Sequence, residues 1–358
     1  MSKIVVGLSG GVDSAVTAYL LKQQGNDCIG VTLKLWPTED ASCEDARKVC
    51  EKIGIEHVVV DFSEDFQNKV VDYFVSEYIS GRTPNPCCIC NKEIKFKKLL
   101  EWANANGYEK IATGHYAKVF VSTEGRYCVE KAVSDKKDQT YALFELTQEE
   151  LSKVVMPLGD YDKEEIRRIA LEAELPVAAK ADSQDICFIP DGDYASFLRQ
   201  YAKQNPKSSY LIPSPGNFVD ESGKILGKHT GYTDYTIGQR RGLNISAGHR
   251  IFVKEIRPKT NEVVISDTDI YSDSLSVSSM NCMLVPEIDK DIRLFAKIRY
   301  AHKGEWCILS PSKKTGVYIC KFEKPVRAIT PGQAIVFYDN DSNVRKIVCG
   351  GIINGNQS

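Results

Sequence analysis

A glycine-rich turn after the first apolar segment constrains this chain more than any other sequence feature. Lys3–Leu8 is a β-branched, apolar run, and it leads directly into Ser9–Ser14, which reads Ser-Gly-Gly-Val-Asp-Ser. Gly10 and Gly11 have no Cβ atoms, so their backbone amides can turn toward an anion and approach it closely. The helical pattern that follows adds the positive end of a helix dipole. These features predict a strand–turn–helix unit that binds phosphate.

The acidic residue inside this turn narrows the type of ligand. Asp13 would repel a phosphate unless it braces the loop or binds Mg²⁺, which favours a magnesium-bridged nucleotide. Two commoner nucleotide loops are excluded, because the chain has no G-x-x-x-x-G-K-[ST] sequence and no G-x-G-x-x-G sequence follows this strand. The structural alternative is a tight turn in which Asp13 or Ser14 only caps the helix.

Strands alternate with helices through the first half of the chain, which predicts an α/β domain with a parallel sheet covered on both faces. The predicted strands are Lys3–Leu8, Ile29–Leu35, Val58–Val60 and Lys110–Ala112, and the last helix before the next strand signal spans Lys92–Ala105. Short β-like segments with glycine turns follow over 216–275. Alternating segments from 281 onward predict a small antiparallel β-barrel. We therefore expect domains over 1–205, 206–278 and 279–358.

Composition places the chain among ordinary globular proteins, with 42% hydrophobic and 26% charged residues. No uncharged apolar run approaches the ~18–20 residues that span a membrane. The N-terminus enters a strand without a signal-peptide pattern, so we expect a cytoplasmic protein with no membrane partner. The net charge is −2, but residues 281–358 carry +5 and the remainder carries −7. This asymmetry is typical of a nucleic-acid-facing end and equally of a solvated basic face.

The twelve cysteines fall into groups with different expected roles. Without a secretory signal they do not indicate a disulfide framework. Those in apolar or strand-like runs are expected to be small buried hydrophobes, namely Cys28, Cys128, Cys307, Cys320 and Cys349. Those in polar loops are candidates for thiol chemistry or metal binding, namely Cys87, Cys88, Cys90 and Cys187.

Cys90 is a candidate nucleophile, because it is predicted to lie next to a helix N-terminus with Lys92 and Lys95 nearby, and such surroundings lower a thiol pKa. Cys187 lies 97 positions further on (187 − 90), so the two thiols can meet only through tertiary structure. A zinc site is the alternative, since Cys87 and Cys90 form a C-x-x-C pair. No second C-x-x-C or H-x₃₋₅-H sequence follows, so we expect no metal held by these cysteines.

The turn Ser9–Ser14 resembles the loop of the PP-loop ATP pyrophosphatases, a superfamily that includes GMP synthetases, argininosuccinate synthases and several tRNA-modifying enzymes. Further motifs in family order make the chain similar to the tRNA-specific 2-thiouridylases over essentially its whole length. These motifs are Gly7–Ser14, Arg82–Phe96, Thr113–Ala117, Lys137–Tyr141, Ser183–Phe188 and Tyr235–Gly242. The resemblance implies a PP-loop domain, a small central domain and a C-terminal β-barrel. We interpret Tyr235–Gly242 as a turn cluster of the central domain and assign it no chemistry.

The resemblance also implies ATP-dependent 2-thiolation of the wobble uridine of tRNA. ATP, accompanied by Mg²⁺, would adenylate the C2 oxygen, and a persulfide on Cys187 would deliver the sulfur. Cys90 would be its catalytic partner, with a transient Cys90–Cys187 disulfide. The implied partners are tRNA and a cysteine desulfurase or sulfur-relay protein. The implied ATP contacts are Gly7, Leu8, Ser9, Gly10, Gly11, Val12, Asp13, Ser14, Leu33 and Gly114. The predicted tRNA contacts are Asn85, Pro86, Cys87, His115, Lys137, Asp138, Gln139, Arg299, Tyr300 and Gln333.

One position departs from the family pattern. Some relatives carry Asp where this chain has Cys87, and that carboxylate has been considered as a proton-transfer group. Any such role must pass here to a neighbour, to the Cys87 thiol or to water.

Two other functions are compatible with part of the sequence. A PP-loop amidotransferase or ligase that acts on a small metabolite would explain Ser9–Ser14, but it leaves Cys90, Cys187 and the basic C-terminal part without a role. A non-catalytic RNA-binding module with ATP as a structural ligand would leave the paired loop cysteines unexplained.

Overall fold

The structure is a computed structural model that describes residues 2–36, 40–181, 186–205, 211–339 and 345–355. Its N-terminal half contains the strands β1 (Lys3–Gly7), β2 (Asp27–Lys34), β3 (Glu56–Asp61), β4 (Lys110–Ala112), β5 (Ala117–Val121), β6 (Tyr127–Lys131) and β7 (Val154–Val155). The helices are α1 (Val12–Gln23), α2 (Asp40–Ile53), α3 (Ser63–Phe66), α4 (Asp72–Ile79), α5 (Pro86–Cys90), α6 (Lys97–Ala105), α7 (Gln148–Lys153), α8 (Lys163–Glu172) and α9 (Tyr194–Gln204).

The predicted parallel sheet is confirmed, with strand order β3-β2-β1-β4-β7 and every pairing parallel. β1 lies at its centre, and its residues Ile4, Val5 and Val6 are buried as expected for a strand covered on both faces. The chain leaves β1 toward β2 on one side, while β4 pairs with the other side. Open parallel sheets bind ligands at such a point, outside the carboxyl ends of the strands. The crevice between the ends of β1 and β4 is therefore the expected binding site.

The segment with Cys87, Cys88 and Cys90 is here called the cysteine loop. The helix that contains it begins earlier than the sequence predicts. It starts at Pro86 rather than at Lys92, and α5 continues through a π-helical segment, Asn91–Phe96, into α6. Asn85 caps the helix by accepting a hydrogen bond from the Cys87 amide (3.1 Å), and proline is well suited to the first helical position. The predicted position of Cys90 next to the helix N-terminus is therefore wrong, because Cys90 lies inside the helix.

The second half of the chain is built from antiparallel strands and one parallel pair. Its strands are β8 (Gly216–Val219), β9 (Ile225–His229), β10 (Phe252–Arg257), β11 (Glu262–Ser266), β12 (Tyr271–Cys282), β13 (Ile292–Lys297), β14 (Glu305–Pro311), β15 (Tyr318–Arg327), β16 (Ala334–Tyr338) and β17 (Ile347–Gly355). The first four form the central sheet in the order β10-β11-β8-β9, and the other six close a barrel. Both predicted β-rich units are confirmed. β12 runs through residue 278, where the sequence analysis places a domain boundary.

The barrel packs directly against the parallel-sheet domain. One apolar cluster contains Phe144 from that domain together with Val336 and Ile347 from the barrel. The Asn281 side-chain amide donates to the backbone carbonyls of Phe144 (2.8 Å) and Leu146 (3.0 Å). Because this shared core would be exposed if the two units separated, we infer that they move as one body. The five cysteines expected in apolar surroundings are all buried, which confirms that prediction.

Candidate functional site

The turn Ser9–Ser14 is held in a fixed shape by its own polar groups. The Ser14 hydroxyl accepts a hydrogen bond from the Ser9 amide (3.2 Å) and donates to the Gly11 carbonyl (3.1 Å). Gly10 has a φ of +68° and lies against the backbone of Ser42, so a side chain at this position would be strained and would clash. Gly11 is the N-cap of α1, so the rest of the turn, Val12–Ser14, is the start of that helix. The turn therefore lies at the carboxyl end of β1, as the sequence predicts.

Asp13 connects this turn to two other segments of the chain through hydrogen bonds to its side chain. Its Oδ1 accepts hydrogen bonds from the Tyr116 hydroxyl (2.7 Å) and from Lys163 Nζ (2.7 Å). The turn also receives a second lysine, because Lys180 Nζ donates to the Gly10 carbonyl (2.9 Å). Lys180 Nζ also pairs with Asp45 Oδ2 (2.7 Å), so each of the two ammonium groups beside the loop already faces a carboxylate. The sequence analysis missed Lys163 and Lys180, because nothing in the local sequence indicates that side chains 150 and 170 positions away reach the loop.

The opposite wall of this crevice is the end of β4. A Cβ atom on Gly114 would lie 2.8 Å from the Ser14 amide nitrogen, so only glycine lets the two loops approach this closely. Leu33, near the end of β2, packs against the apolar cluster of the sheet and also against a second cluster that contains Cys90. The predicted ATP contacts therefore lie near the carboxyl ends of β1, β2 and β4, and Leu33 connects them to the cluster that contains Cys90.

His115 follows Gly114 and is neutral at physiological pH. Burial and the nearby Lys95 lower the pKa of its imidazole to about 3. Nδ1 of His115 lies 2.9 Å from the Thr113 hydroxyl, and the ring packs at 5.4 Å from the ring of Phe96. A neutral imidazole can hydrogen-bond a base or a sugar but cannot neutralise a phosphate.

This depressed pKa predicts a measurable pH dependence of stability. The unfolded chain binds a proton to His115 below pH 6.5, whereas the folded chain stays neutral at this site until about pH 3. The contribution of His115 to the free energy of unfolding is therefore fully present above pH 6.5 and is lost as the pH falls toward 3. In wild type, the urea concentration at the unfolding midpoint should fall between pH 6.5 and 4. We expect this fall to be smaller in His115→Gln. His249→Gln is the control, because Asp267 raises the pKa of His249 and its removal should have the opposite sign. Parallel pH profiles for His115→Gln and wild type would contradict the assignment.

The cysteine loop places its three thiols in different surroundings. Cys87 is exposed, Cys88 is buried in the core of the parallel-sheet domain, and Cys90 is 5% exposed in the second apolar cluster. Burial raises the pKa of Cys88 well above its usual value. Cys88 therefore has the surroundings of a structural residue, not the polar surroundings that made it a candidate for thiol chemistry.

Cys187 lies on an exposed turn that is fixed by its neighbour. Phe188 is buried among aromatic rings, at 5.4 Å from Phe74 and 5.2 Å from Phe197. This aromatic cluster is also the one that contains Cys90. The fold therefore places Cys90 and Phe188, the neighbour of Cys187, in the same cluster, although they lie far apart in sequence. Residues 182–185, which include the first three residues of the Ser183–Phe188 motif, lie outside the described residues.

The predicted tRNA contacts lie where the barrel meets this loop. Tyr300 is 49% exposed, and Asp138, Lys137 and Cys87 are close enough to affect its pKa, which burial raises. The Gln139 side chain accepts a hydrogen bond from the Tyr116 amide (2.8 Å). Lys137 and Asp138 from one segment and Tyr300 from another thus lie close together near the exposed Cys87.

Two of the predicted tRNA contacts also hold the protein together. Gln333 donates from its amide to the carbonyls of Thr83 (2.9 Å) and Pro84 (3.2 Å), just before the cysteine loop. Arg299 donates from Nη1 to the Arg327 carbonyl (2.9 Å) and is half-buried. Gln333 thus couples the barrel to the position of the cysteine loop.

Within the described ranges, the side chains form no metal-binding cluster and the helices form no membrane span. No group of three His, Cys, Asp or Glu side chains in these ranges lies close enough together to hold a metal ion. Every helix in these ranges is too short or too polar to span a lipid bilayer.

Comparisons with known proteins agree with this architecture. Three family models match in order: a tRNA methyl transferase HUP domain (residues 2–191), a tRNA methyl transferase PRC-barrel domain (208–267) and an aminomethyltransferase beta-barrel domain (272–353). The tRNA-specific 2-thiouridylase MnmA of Lachnoclostridium phytofermentans is 48% identical over 98% of this chain and 99% of its own length. MnmA 2 of Caldanaerobacter subterraneus subsp. tengcongensis is 46% identical and MnmA of Clostridioides difficile 44%, each over 98% of both chains. The similarity thus covers all three domains.

Proposed function

The chain belongs to the family of tRNA-specific 2-thiouridylases, and from that premise we propose that it replaces the C2 oxygen of the wobble uridine of tRNA with sulfur. The observation that carries this proposal is one apolar cluster that contains both Cys90 and Phe188, the neighbour of the exposed Cys187, and against which Leu33 of β2 packs. A ligase for a small metabolite would need the crevice but not this pair of thiols. We propose that the reaction takes place in the cytoplasm, as the sequence predicts.

ATP is proposed to bind in the crevice between the ends of β1 and β4. The glycine-rich backbone of Ser9–Ser14 is suited to its phosphates, and Lys163 and Lys180 hold the same loop while paired with Asp13 and Asp45. Magnesium would enter with ATP and shield the charge of its phosphates. Asp13 is the carboxylate of the loop, and because its Oδ1 already accepts from Lys163 and Tyr116, the phosphates would supply most ligands of the ion.

Adenylation is the step that makes the uridine reactive. The C2 oxygen attacks the α-phosphate of ATP, and pyrophosphate leaves. The former carbonyl oxygen then departs as part of AMP, a far better leaving group than oxide or hydroxide. A target in the anticodon loop needs only to be unstacked, which costs less than opening a duplex.

The different exposure of the two cysteines supports an order of events. Cys187 is exposed, so a cysteine desulfurase or relay protein can reach it and load a persulfide, whereas Cys90 is protected from that exchange by burial. The terminal persulfide sulfur attacks C2 and AMP leaves. The Cys90 thiolate then attacks the Cys187 sulfur, which breaks the S–S bond to the transferred atom and releases 2-thiouridine. The resulting Cys90–Cys187 disulfide takes two electrons from an external thiol reductant.

The surface around Tyr300 is proposed to receive the anticodon loop. Tyr300 offers an exposed ring for base stacking, and Lys137 and Arg299 supply positive charge. Asn85 and Pro86 at the start of α5 are suited to contact the unstacked uridine. Gln333 would act mainly by holding the loop that carries them.

Mass spectrometry of tRNA nucleosides tests the proposal. Unmodified tRNA incubated with the protein, ATP, Mg²⁺ and a cysteine desulfurase system should gain 2-thiouridine at the wobble position, with one AMP and one pyrophosphate per sulfur. Omission of ATP should abolish the product. ATP–pyrophosphate exchange that depends on a small carboxylate, without any change in tRNA, would contradict the proposal and favour a metabolite ligase.

A further inference from the structure

The loop Thr236–Gly242 of the central domain, here called the arginine loop, has a rigid backbone. The Gly238 amide donates to the Val253 carbonyl (2.8 Å), and the Val253 amide donates to the Gln239 carbonyl (2.9 Å). The Gln239 side chain accepts from the Thr236 amide (3.0 Å) and donates to the Arg241 carbonyl (3.1 Å). The loop is thus fixed both to β10 and to itself.

The arginine loop lies at the junction of all three domains. The Thr83 hydroxyl donates to the hydroxyl of Thr236 (3.4 Å), which connects the loop to the segment before the cysteines. On the other side, Arg327 of the barrel donates from Nη2 to the Gly238 carbonyl (3.2 Å). The carbonyl of Arg327 in turn accepts from Arg299, a predicted tRNA contact. The loop therefore continues the surface proposed to receive tRNA.

Two adjacent arginines on this loop have no charge partner among the residues that the structure describes. Arg240 and Arg241 are exposed, and neither guanidinium forms a hydrogen bond or a salt bridge with the part of the chain that the structure describes. Arg327 behaves differently, because it pairs with Asp269 at 2.7 Å. A fixed backbone that presents two unpaired guanidinium groups is suited to an anionic partner, since little loop entropy is lost on binding.

We propose that Arg240 and Arg241 bind backbone phosphates of the tRNA, so that the central domain contributes to substrate binding. This inference rests on the proposed function. The guanidinium group matches phosphate geometry in a bidentate manner, and phosphate contacts fix the orientation of a nucleic acid without reading its sequence. The arginine loop would therefore set the position of the anticodon arm relative to the cysteine loop.

A charge-matched pair of variants tests the inference. Arg240→Gln with Arg241→Gln removes two positive charges at the junction. Lys313→Gln with Lys314→Gln removes two from the exposed turn between β14 and β15, at the opposite end of β14 from the turn that carries Arg299. We expect the arginine variant to bind tRNA roughly ten- to a hundredfold more weakly near 0.1 M salt and to lower the slope of log Kd against log salt by about two. The lysine variant should behave like wild type.

Further measurements separate the possible outcomes. Arg240→Lys with Arg241→Lys should restore most of the salt slope, which a folding defect would not explain. Equal affinity of the arginine and lysine variants, with an active wild type, would overturn the inference alone. Unchanged tRNA affinity with slower sulfur loading of Cys187 would make the loop a docking surface for the donor and would also overturn it. A wild type that forms no 2-thiouridine would overturn the proposed function, and the inference with it.

Discussion

Cys187→Ser should abolish thiolation of tRNA, with a loss of roughly 10³-fold or more, as is typical when a nucleophile is removed. Serine has nearly the volume of cysteine, but its oxygen cannot carry a persulfide. The side chain lies on an exposed turn, and Phe188, not Cys187, fixes that turn in the aromatic cluster. The variant should therefore fold and should still bind ATP and tRNA.

Cys90→Ser should lose thiolation to a similar extent, but at a different step. With radiolabelled cysteine and a desulfurase, Cys90→Ser should still acquire label on Cys187, whereas Cys187→Ser should acquire none. Wild-type protein should show a Cys90–Cys187 disulfide by non-reducing peptide mapping after a single turnover. Each measurement reports on one thiol, so the two roles are separated.

Cys88→Ala is the matched control for these variants. Cys88 lies in the same short helix but is buried in the core of the parallel-sheet domain, so alanine avoids placing a hydroxyl group there. Thiolation should persist, with some loss of thermal stability. Label on Cys87 or Cys88, or stoichiometric zinc that is lost in Cys90→Ser, would show that the roles given to the two cysteines are wrong.

Asp13→Ala should reduce the formation of AMP and pyrophosphate by roughly 10²-fold or more, because it removes the brace of a loop that positions the phosphates. The carboxylate accepts from both Lys163 and Tyr116, so its loss releases an ammonium group and a hydroxyl beside the anion site. The Asp13 and Lys163 side chains are 31% and 14% exposed, so the pair contributes only about 1 kcal/mol to stability after screening. The fold should remain intact by circular dichroism.

Lys163→Met tests whether Asp13 supports ATP cleavage through its contact with Lys163. If Asp13 acts through Lys163, the two single variants and the double variant should lose similar amounts of ATP cleavage, because they remove the same interaction. Asp160→Asn is the control, since Asp160 is an exposed carboxylate that pairs with Lys118 on the same domain. ATP cleavage at the wild-type rate in Asp13→Ala would contradict the assignment of this loop to ATP.

Local sequence was sufficient for the elements whose signals lie within a few residues. The β-branched run of β1, the two glycines and the start of α1 are neighbours, so their chemistry specifies strand, turn and helix without help from the rest of the chain. The strand–helix alternation likewise predicted the parallel sheet, and alternating apolar residues predicted the barrel. The six short motifs from Gly7–Ser14 to Tyr235–Gly242, taken together, were sufficient to indicate the family.

Tertiary structure alone decided which distant groups meet. Lys163 and Lys180 reach the phosphate loop because α8 and the segment after it pack against α1 and α2, and no local pattern encodes that approach. Because Asn85 caps the helix, the helix begins at Pro86 and Cys90 lies inside it. The packing of apolar side chains buries Cys90 there. The sequence predicts only a turn for the arginine loop. Its position beside the predicted tRNA surface depends on contacts among three domains. Sequence specifies local conformation through neighbouring residues, whereas burial and charge at a site depend on side chains that only the packed fold brings into contact.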